Sequence, residues 1–365
     1  MKGKHAFLRD GQGEWCDWWV YEDFQFALPK VMAVAGKVLK EIDNSPTTYD
    51  AVRSGCWNQA DRLKDMTDSH VEAAIQFPNT LPRFCGQTFS EQKDHELGLF
   101  CIQAYNDWLI DDWGGGPGRG RLIPATIVPL WDVGLAAQEV RRVAAMGATC
   151  ITFSENPSNL GFPSLHTDYW DPLYQECQES GITVCMHIGS GSSMFTTCSE
   201  MPFIESSTMT YVVSMGAIFD LIYSGVFDRF PTMKLALSEG QVGWMPFAFG
   251  RGDQLWHERG QNNFGTDIPN PPSSYIAGRV FGCVFDDPIG MALRNEIGME
   301  QICYETDYPH ADGPFPLTVE KVEDICSKAG LNEDETYAFV RGNSINAFGL
   351  ERFGIEPGST GPNGQ

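Results

Sequence analysis

The sequence lacks the features of a disulfide-rich scaffold, a zinc ribbon or a membrane protein. Its eleven cysteines are scattered, and no two of them form a Cys-x-x-Cys pair. That distribution fits buried thiols in a reducing compartment better than a disulfide framework. No window approaches ~18 uninterrupted apolar residues, and the basic N-terminal residues are not followed by an apolar stretch, so neither a membrane span nor a signal peptide is predicted. A cytoplasmic location is therefore expected.

Basic residues are scarce relative to acidic ones. The chain of 365 residues has 25 Lys and Arg against 48 Asp and Glu, a net charge of −23. Such a surface repels phosphate backbones and anionic lipids, so nucleic acids and membranes are excluded as partners and a small-molecule substrate is favoured. Hydrophobic residues make up 42% of the chain, which is ample for a globular core and excludes disorder.

The chain also lacks a Gly-x-Gly-x-x-Gly fingerprint, although apolar strands alternate with amphipathic helices over most of its length. Seven strands are predicted, over residues 71–77, 122–128, 148–153, 182–188, 233–238, 279–285 and 301–305. This alternation is typical of parallel βαβ units, and without the dinucleotide motif it favours a (β/α)8 TIM barrel over a Rossmann sheet. Because a closed barrel needs eight strands, either the N-terminal hairpin supplies a substitute strand or the first strand of the barrel is missing.

Three regions are predicted along the chain. Residues 1–56 form an irregular, aromatic-rich segment, in which the alternation of EWCDWWVYEDFQF indicates a hairpin that packs onto a larger body. Residues 57–350 form the barrel. Residues 351–365 are rich in glycine and proline and are expected to form a flexible tail.

Ionisable side chains occur where predicted strands end. His187 ends the apolar run ITVCMH, Glu239 follows MKLALS, Asp307 follows QICYET with His310 just beyond, and Glu155 follows ATCITFS. Taken singly, each has an ordinary explanation, such as a hydrogen-bonded core histidine, a helix cap or a turn residue. Because the carboxyl ends of barrel strands meet at one mouth, their coincidence predicts a divalent-metal hydrolytic site there.

Three blocks of sequence resemble the amidohydrolase-related metal-dependent hydrolases, the family that includes aminocarboxymuconate semialdehyde decarboxylase and γ-resorcylate decarboxylase. These blocks are SENPSNLGFPSLHTDYWDPLYQECQESGITVCMHIGSGS, FPTMKLALSEGQVGWMPFAFGRGD and YETDYPHADGPFPLT. The resemblance extends over residues 15–349. It implies a (β/α)8 barrel, a mononuclear divalent-metal site, with zinc as the first choice and manganese as the second, and a homodimer.

The resemblance also implies roles for single residues. His187 and Asp307 match the family's metal-binding positions, and Glu239 occupies the place where the decarboxylases carry a catalytic histidine. Asp307 and Glu239 are therefore the expected catalytic residues, Asp307 accepting a proton from water and Glu239 passing one to the leaving group. The residues expected at the substrate are Arg251, near its carboxylate, His166 and His310.

The sequence departs from the family at its beginning. The family's first strand carries a His-x-His or acidic-x-His pair that supplies two further metal ligands, and no such motif occurs here. The chain is expected to begin roughly thirty residues late, and a metal held by His187 and Asp307 alone would be weakly bound. The leading hypothesis, because Glu239 replaces the histidine, is a metal-dependent hydrolase of a small carboxylated or aromatic substrate. The alternatives are a non-oxidative decarboxylase of the same family and a truncated, inactive barrel.

Overall fold

The computed structural model describes residues 15–37, 39–259 and 267–358. Within these ranges nine strands form a two-stranded antiparallel hairpin and a parallel sheet of seven strands. Their bounds are β1 Trp18–Tyr21, β2 Phe24–Ala27, β3 Ala74–Gln76, β4 Leu122–Thr126, β5 Cys150–Phe153, β6 Thr183–His187, β7 Leu235–Ser238, β8 Val280–Val284 and β9 Ile302–Tyr304.

The same ranges contain fourteen α-helices, most of which connect successive strands of the parallel sheet. They are α1 Gln59–Asp68, α2 Gln87–Glu91, α3 His95–Asp107, α4 Val133–Met146, α5 Asp171–Ser180, α6 Phe203–Thr208, α7 Tyr211–Tyr223, α8 Val226–Arg229, α9 Met245–Arg259, α10 Pro288–Ala292, α11 Arg294–Ile297, α12 Thr318–Ala329, α13 Glu333–Tyr337 and α14 Asn343–Phe348.

The parallel sheet runs in sequence order from β3 to β9, so each strand pairs with the next one along the chain. The seven predicted strands are confirmed, although each is shorter than predicted because its terminal residues leave the hydrogen-bonded ladder. β3 and β9 form the two edges of the sheet. Residues 1–14 lie outside the described part of the chain, so the predicted absence of a first strand stays a prediction.

Side chains of the sheet alternate between two hydrophobic cores. Cys150, Cys185 and Ala236 point to the concave side, where they pack with Phe281 and with Phe348 of α14. The residues between them in the strands pack against the surrounding helices in a second, larger core. Alternation with a period of two residues is typical of strands that are buried on both faces. The sheet curls into part of a barrel wall.

The N-terminal hairpin packs onto this body. The ring of Tyr21 in β1 lies edge-on to Phe89 of α2, with 5.1 Å between ring centroids. Trp19 donates a hydrogen bond of 2.9 Å to the Tyr49 hydroxyl. The predicted tail falls partly outside the described residues, at 359–365. In the part of the chain that the structure describes, no helix is both long and apolar enough to cross a bilayer. All eleven cysteines are unpaired.

A large cavity lies between the two edge strands of the sheet. It has a volume of about 1430 Å³ and is lined by residues of both β3 and β9, and we refer to it as the central cavity. Its wall is rich in aromatic side chains, among them Trp19, Tyr49, Trp57, Phe77, Trp113 and Tyr308. Ligand sites in proteins are typically concave and apolar, with a few convergent polar groups, so the ionisable residues of this cavity define the candidate site.

Candidate active site

The pairing of β6 with β7 brings the first two predicted site residues together. His187, the last residue of β6, is in register with Ser238, and Glu239 follows directly. The Nε2 atom of His187 lies 2.8 Å from Glu239 Oε1, and its Nδ1 atom lies 2.8 Å from the carbonyl oxygen of Ile188. A backbone carbonyl accepts only, so Nδ1 donates to it and the other ring nitrogen is directed at the carboxylate.

The His187–Glu239 pair is buried, and each partner determines the charge of the other. Burial alone would lower the pKa of His187, but the charge of Glu239 and the hydrogen bond to it raise the pKa to about 9. Burial alone would raise the pKa of Glu239, but His187 lowers it to about 2. Phe84 stacks on the imidazole, with 4.3 Å between ring centroids. The pair is therefore an imidazolium and a carboxylate in an aromatic surrounding.

The loop after β9 supplies the second pair. The Nδ1 atom of His310 lies 2.9 Å from Asp307 Oδ1, and its Nε2 atom lies 3.5 Å from the side-chain nitrogen of Asn79. Burial, and then the charge of Glu239, raises the pKa of Asp307 to about 6 against the opposing effect of His310. Burial lowers the pKa of His310, but Asp307 outweighs it and the net shift is upward.

Both acidic residues of the two pairs adopt a backbone conformation that L-residues rarely use. The φ angle is 57° at Glu239 and 45° at Asp307, in the left-handed region. A side chain there costs about 1–2 kcal/mol, and such residues concentrate at functional sites. A carboxylate oxygen of Glu239 and one of Asp307 lie within 4.8 Å of each other.

Glu305 is a third carboxylate at this site. Its Oε2 atom accepts a hydrogen bond of 3.2 Å from the backbone nitrogen of Glu239, whereas Oε1 is buried without a hydrogen-bond partner. Burial, and then the charge of Glu239, raises the pKa of Glu305 well above its usual range. A buried carboxylate oxygen that lacks a donor is costly unless a proton or a cation satisfies it.

These side chains fit a divalent cation. Glu239, Asp307 and His310 each present one ligand atom, and all three atoms lie within 4.8 Å of one another. His187 adjoins the group through its contact with Glu239. Carboxylate oxygens and imidazole nitrogens are the ligands that manganese and zinc use in proteins, and the buried Oε1 atom of Glu305 beside them lacks a hydrogen-bond partner that a proton or a cation could replace.

Glu155 lies behind the site, at the end of β5. Its Oε1 atom accepts hydrogen bonds from the backbone nitrogens of Gly189, at 3.0 Å, and Gly191, at 3.4 Å. Burial raises its pKa to about 7 despite these hydrogen bonds. Glu155 thus holds the loop that follows His187, and this loop carries the Ile188 carbonyl that orients the imidazole.

Arg62 and Tyr308, which both line the central cavity, belong to a cluster of charged and aromatic side chains. The guanidinium of Arg62, in α1, stacks on Tyr308 with 3.9 Å from Cζ to the ring centroid. The Tyr308 hydroxyl donates a hydrogen bond of 2.6 Å to Asp65 Oδ2. Asp65 also accepts two hydrogen bonds from Arg53, at 2.6 and 2.5 Å. Because Tyr308 directly follows Asp307, this cluster adjoins the candidate metal ligands.

Two residues that the resemblance placed at the substrate lie elsewhere. Arg251 is exposed on α9 and donates a hydrogen bond of 2.8 Å to Gln254 of the same helix. His166 is also exposed, and its Nε2 atom lies 3.0 Å from Asp220 Oδ1. Neither lines the central cavity, whereas His187, Glu239, Asp307 and His310 all do.

The sequence analysis missed Arg62, Glu305 and Asn79. Glu305 lies inside the predicted strand that precedes Asp307, so the pattern offered a signal: a charged residue in an otherwise apolar run. Arg62 lies in a polar helix whose pattern does not distinguish it from a surface arginine, and Asn79 lies in the loop after β3. Only tertiary packing reveals these two.

The chain matches a family model and a curated relative over most of its length. The family model described as Amidohydrolase matches residues 15–350. The chain is similar to 2-amino-3-carboxymuconate-6-semialdehyde decarboxylase of Dictyostelium discoideum, with 26% identity over 355 residues that cover 91% of this chain and 85% of the relative.

Solved structures show the same fold. An amidohydrolase from Mycobacterium avium subsp. paratuberculosis has a TM-score of 0.65 and 22% identity, covering 81% of this chain and 76% of its own. The 5-carboxyvanillate decarboxylase of Novosphingobium aromaticivorans, complexed with manganese and 4-hydroxy-3-methoxy-5-nitrobenzoic acid, has a TM-score of 0.64 and 18% identity, covering 79% of each chain. At these identities the likeness concerns the fold alone.

Proposed function

The chain belongs to the amidohydrolase family, and from that membership we propose that it is a divalent-metal-dependent decarboxylase of a small aromatic or unsaturated carboxylate. One observation carries the proposal. The pairs His187–Glu239 and His310–Asp307 converge in the central cavity, and the wall of that cavity contains many aromatic side chains. Such a cavity suits a flat, apolar substrate with one reactive polar group.

The relatives support decarboxylation rather than hydrolysis. The curated relative is a decarboxylase of an unsaturated carboxylic acid, and one structural neighbour is a decarboxylase of an aromatic one. The hydrolase hypothesis depended on Glu239 as a residue that passes protons. In the structure Glu239 is held as a carboxylate by His187, an arrangement that suits a ligand or an anchor better than a proton donor.

We assign the metal to His187, Glu239 and Asp307. His187 donates through Nδ1 to a backbone carbonyl, which leaves Nε2 for an ion, as is usual for a ligating histidine. Manganese, the ion in the solved neighbour, replaces zinc as the expected metal. When bound, the ion supplies positive charge that neutralises the clustered carboxylates and stabilises negative charge on the substrate.

His310 is the proposed proton donor. Asp307 holds its Nδ1 atom, so the ring is oriented, and Nε2, whose contact with the side-chain nitrogen of Asn79 is long at 3.5 Å, is the nitrogen left to act on a substrate. The His310 side chain is 31% exposed, against 7% for His187, so of the two imidazoles it is the one that can exchange protons with solvent. A carboxylate that orients one ring nitrogen while the other transfers the proton is a recurrent catalytic arrangement.

The decarboxylation can be written with His310 as the source of the proton. The proton of His310 Nε2 adds to the carbon that bears the carboxylate, the bond from that carbon to the carboxylate breaks, and its electron pair returns to the ring or double bond. Carbon dioxide leaves, and solvent returns the proton to His310.

The test is release of carbon dioxide from carboxyl-labelled acids. The purified chain with added Mn²⁺ is incubated with 2,6-dihydroxybenzoate, 5-carboxyvanillate and related acids, and labelled CO₂ is measured by mass spectrometry. We expect turnover of at least one acid and its loss in Asp307→Asn. Esters and lactones of the same acids are assayed in parallel. Hydrolysis of these without CO₂ from any acid would restore the hydrolase hypothesis and refute this one.

A further inference from the structure

We propose that Arg62 binds a carboxylate of the substrate in the central cavity. The inference deepens the proposed function, since it names the group that recognises the acid. Arg62 lines the cavity and is only 8% exposed. Its Nε atom is buried without a hydrogen-bond partner. Its hydrogen bond within the described residues, from Nη2 to Gln76 Oε1, is long at 3.4 Å.

In the part of the chain that the structure describes, Arg62 forms no ion pair with a carboxylate, whereas its neighbour Arg53 does. Arg53 is bound by both oxygens of Asp65, and Asp65 also accepts from Tyr308. The carboxylate nearest to Arg62 is therefore already neutralised by another guanidinium. A buried cation without a counter-charge is costly, and burial lowers the pKa of Arg62. An anionic ligand in the cavity would supply the missing charge.

The guanidinium is held in place before any ligand binds. It lies flat against the Tyr308 ring, and the Tyr308 hydroxyl is anchored on Asp65. Gln76 fixes the other side: its amide nitrogen donates to the carbonyl of Ala74 at 3.0 Å, so its Oε1 atom faces Arg62. A preorganised, planar fork of donors matches a carboxylate with two oxygens and loses little entropy on binding.

The negative charge of the candidate metal ligands explains why binding of an acid requires a cation in the cavity. At the candidate metal ligands the carboxylates of Glu239 and Asp307 converge, and their negative charge repels a substrate carboxylate. Arg62 supplies the opposite charge beside Tyr308, one residue from Asp307. A substrate anchored here has its ring against the aromatic wall and its reacting carbon toward His310. Arg62 is thus a binding residue, and its effect should appear in affinity.

The experiment compares an acid with the same ring lacking the carboxylate. The probes are 2,6-dihydroxybenzoate with resorcinol, and vanillate with guaiacol. Binding to the wild-type chain, Arg62→Met and Arg62→Lys is measured with Mn²⁺ present, by calorimetry and by quenching of the cavity tryptophans. Arg121→Gln is the matched control, because Arg121 lies near α1 and donates to the carbonyls of Val71 and Glu72 without lining the cavity.

We expect Arg62→Met to weaken binding of an acid by about 10- to 100-fold, as for the loss of a charged hydrogen bond, and binding of its matched ring by less than about twofold. Arg62→Lys should fall between, and Arg121→Gln should leave the ratio unchanged. Equal weakening for both members of a pair, or no weakening for the acid, overturns the proposal. So does a wild-type chain that binds no acid more tightly than its matched ring.

Two further outcomes are decisive. If Arg62→Met does not fold, the ratio in Arg62→Lys decides, because lysine keeps the charge and loses the planar fork. If the chain binds the acids through Arg62 but releases no CO₂, this inference stands and the decarboxylase assignment falls. The two proposals therefore fail on different measurements.

Discussion

His187 Nε2 lies 2.8 Å from Glu239 Oε1, and His187 Nδ1 is committed to the carbonyl of Ile188. The atom of His187 that faces Glu239 therefore carries a proton in the metal-free chain, consistent with a pKa of about 9. A metal binds only neutral imidazole. Proton and metal thus compete for one nitrogen, and this competition makes metal affinity depend on pH.

We predict that Mn²⁺ affinity rises with pH. Since His187 is protonated below about pH 9, each ion bound near neutrality displaces at least one proton, and the apparent association constant should increase about tenfold per pH unit between roughly pH 6 and 8. Calorimetry in buffers of different ionisation enthalpy measures both quantities. In His187→Gln the slope should fall by one proton. A pH-independent affinity in the wild-type chain would contradict the prediction.

His187 is also predicted to be required for metal retention. The purified chain with Mn²⁺ should hold about one ion per chain after desalting, as for a site with three protein ligands, and His187→Ala should hold none and lose activity. Metal content is measured by plasma mass spectrometry. His257→Ala is the control, since His257 is exposed at the end of α9. Unchanged turnover in His187→Ala would remove this residue from the site.

His310 is predicted to act on the proton and not on the metal. Replacing it by glutamine should lower kcat by about 10²- to 10⁴-fold, the usual contribution of a general acid, and should leave the bound Mn²⁺ at about one ion per chain. The exposed His95 gives the control variant, His95→Gln. Loss of the ion together with activity would instead make His310 the nitrogen ligand of the group it forms with Glu239 and Asp307.

The sheet could be predicted from the sequence because its strands are buried on both faces. Continuous apolar runs such as ITVCMH have no competing interpretation as surface elements, and the seven strands follow one another in the sheet in chain order. The same reasoning found His187, Glu239 and Asp307, since the ends of neighbouring parallel strands must converge. It could not find the backbone strain at Glu239 and Asp307, which only the loops reveal.

The substrate side of the site was less predictable. Arg251 and His166 were expected there by resemblance, yet both are exposed and lie away from the central cavity. Arg62 was missed because the local sequence of a polar helix does not distinguish a buried arginine from one exposed to solvent. Its burial results from the packing of α1 against Tyr308, a residue more than two hundred positions away. Long-range contacts of this kind leave no local pattern in the sequence.

Glu155 is predicted to make the fold less stable as pH rises. Burial raises its pKa from 4.5 to about 7, so the folded chain holds a proton that the unfolded chain releases, and stability falls from about pH 4.5 until it levels off above pH 7. Glu155→Gln keeps an acceptor for Gly189 and has no charge to bury. It should be more stable than wild type by roughly 2–3 kcal/mol at pH 8 and equal at pH 4 in urea unfolding. The exposed Glu300→Gln should show neither difference. A stability gain of the same size at both pH values would mean that Glu155 is not the titrating group.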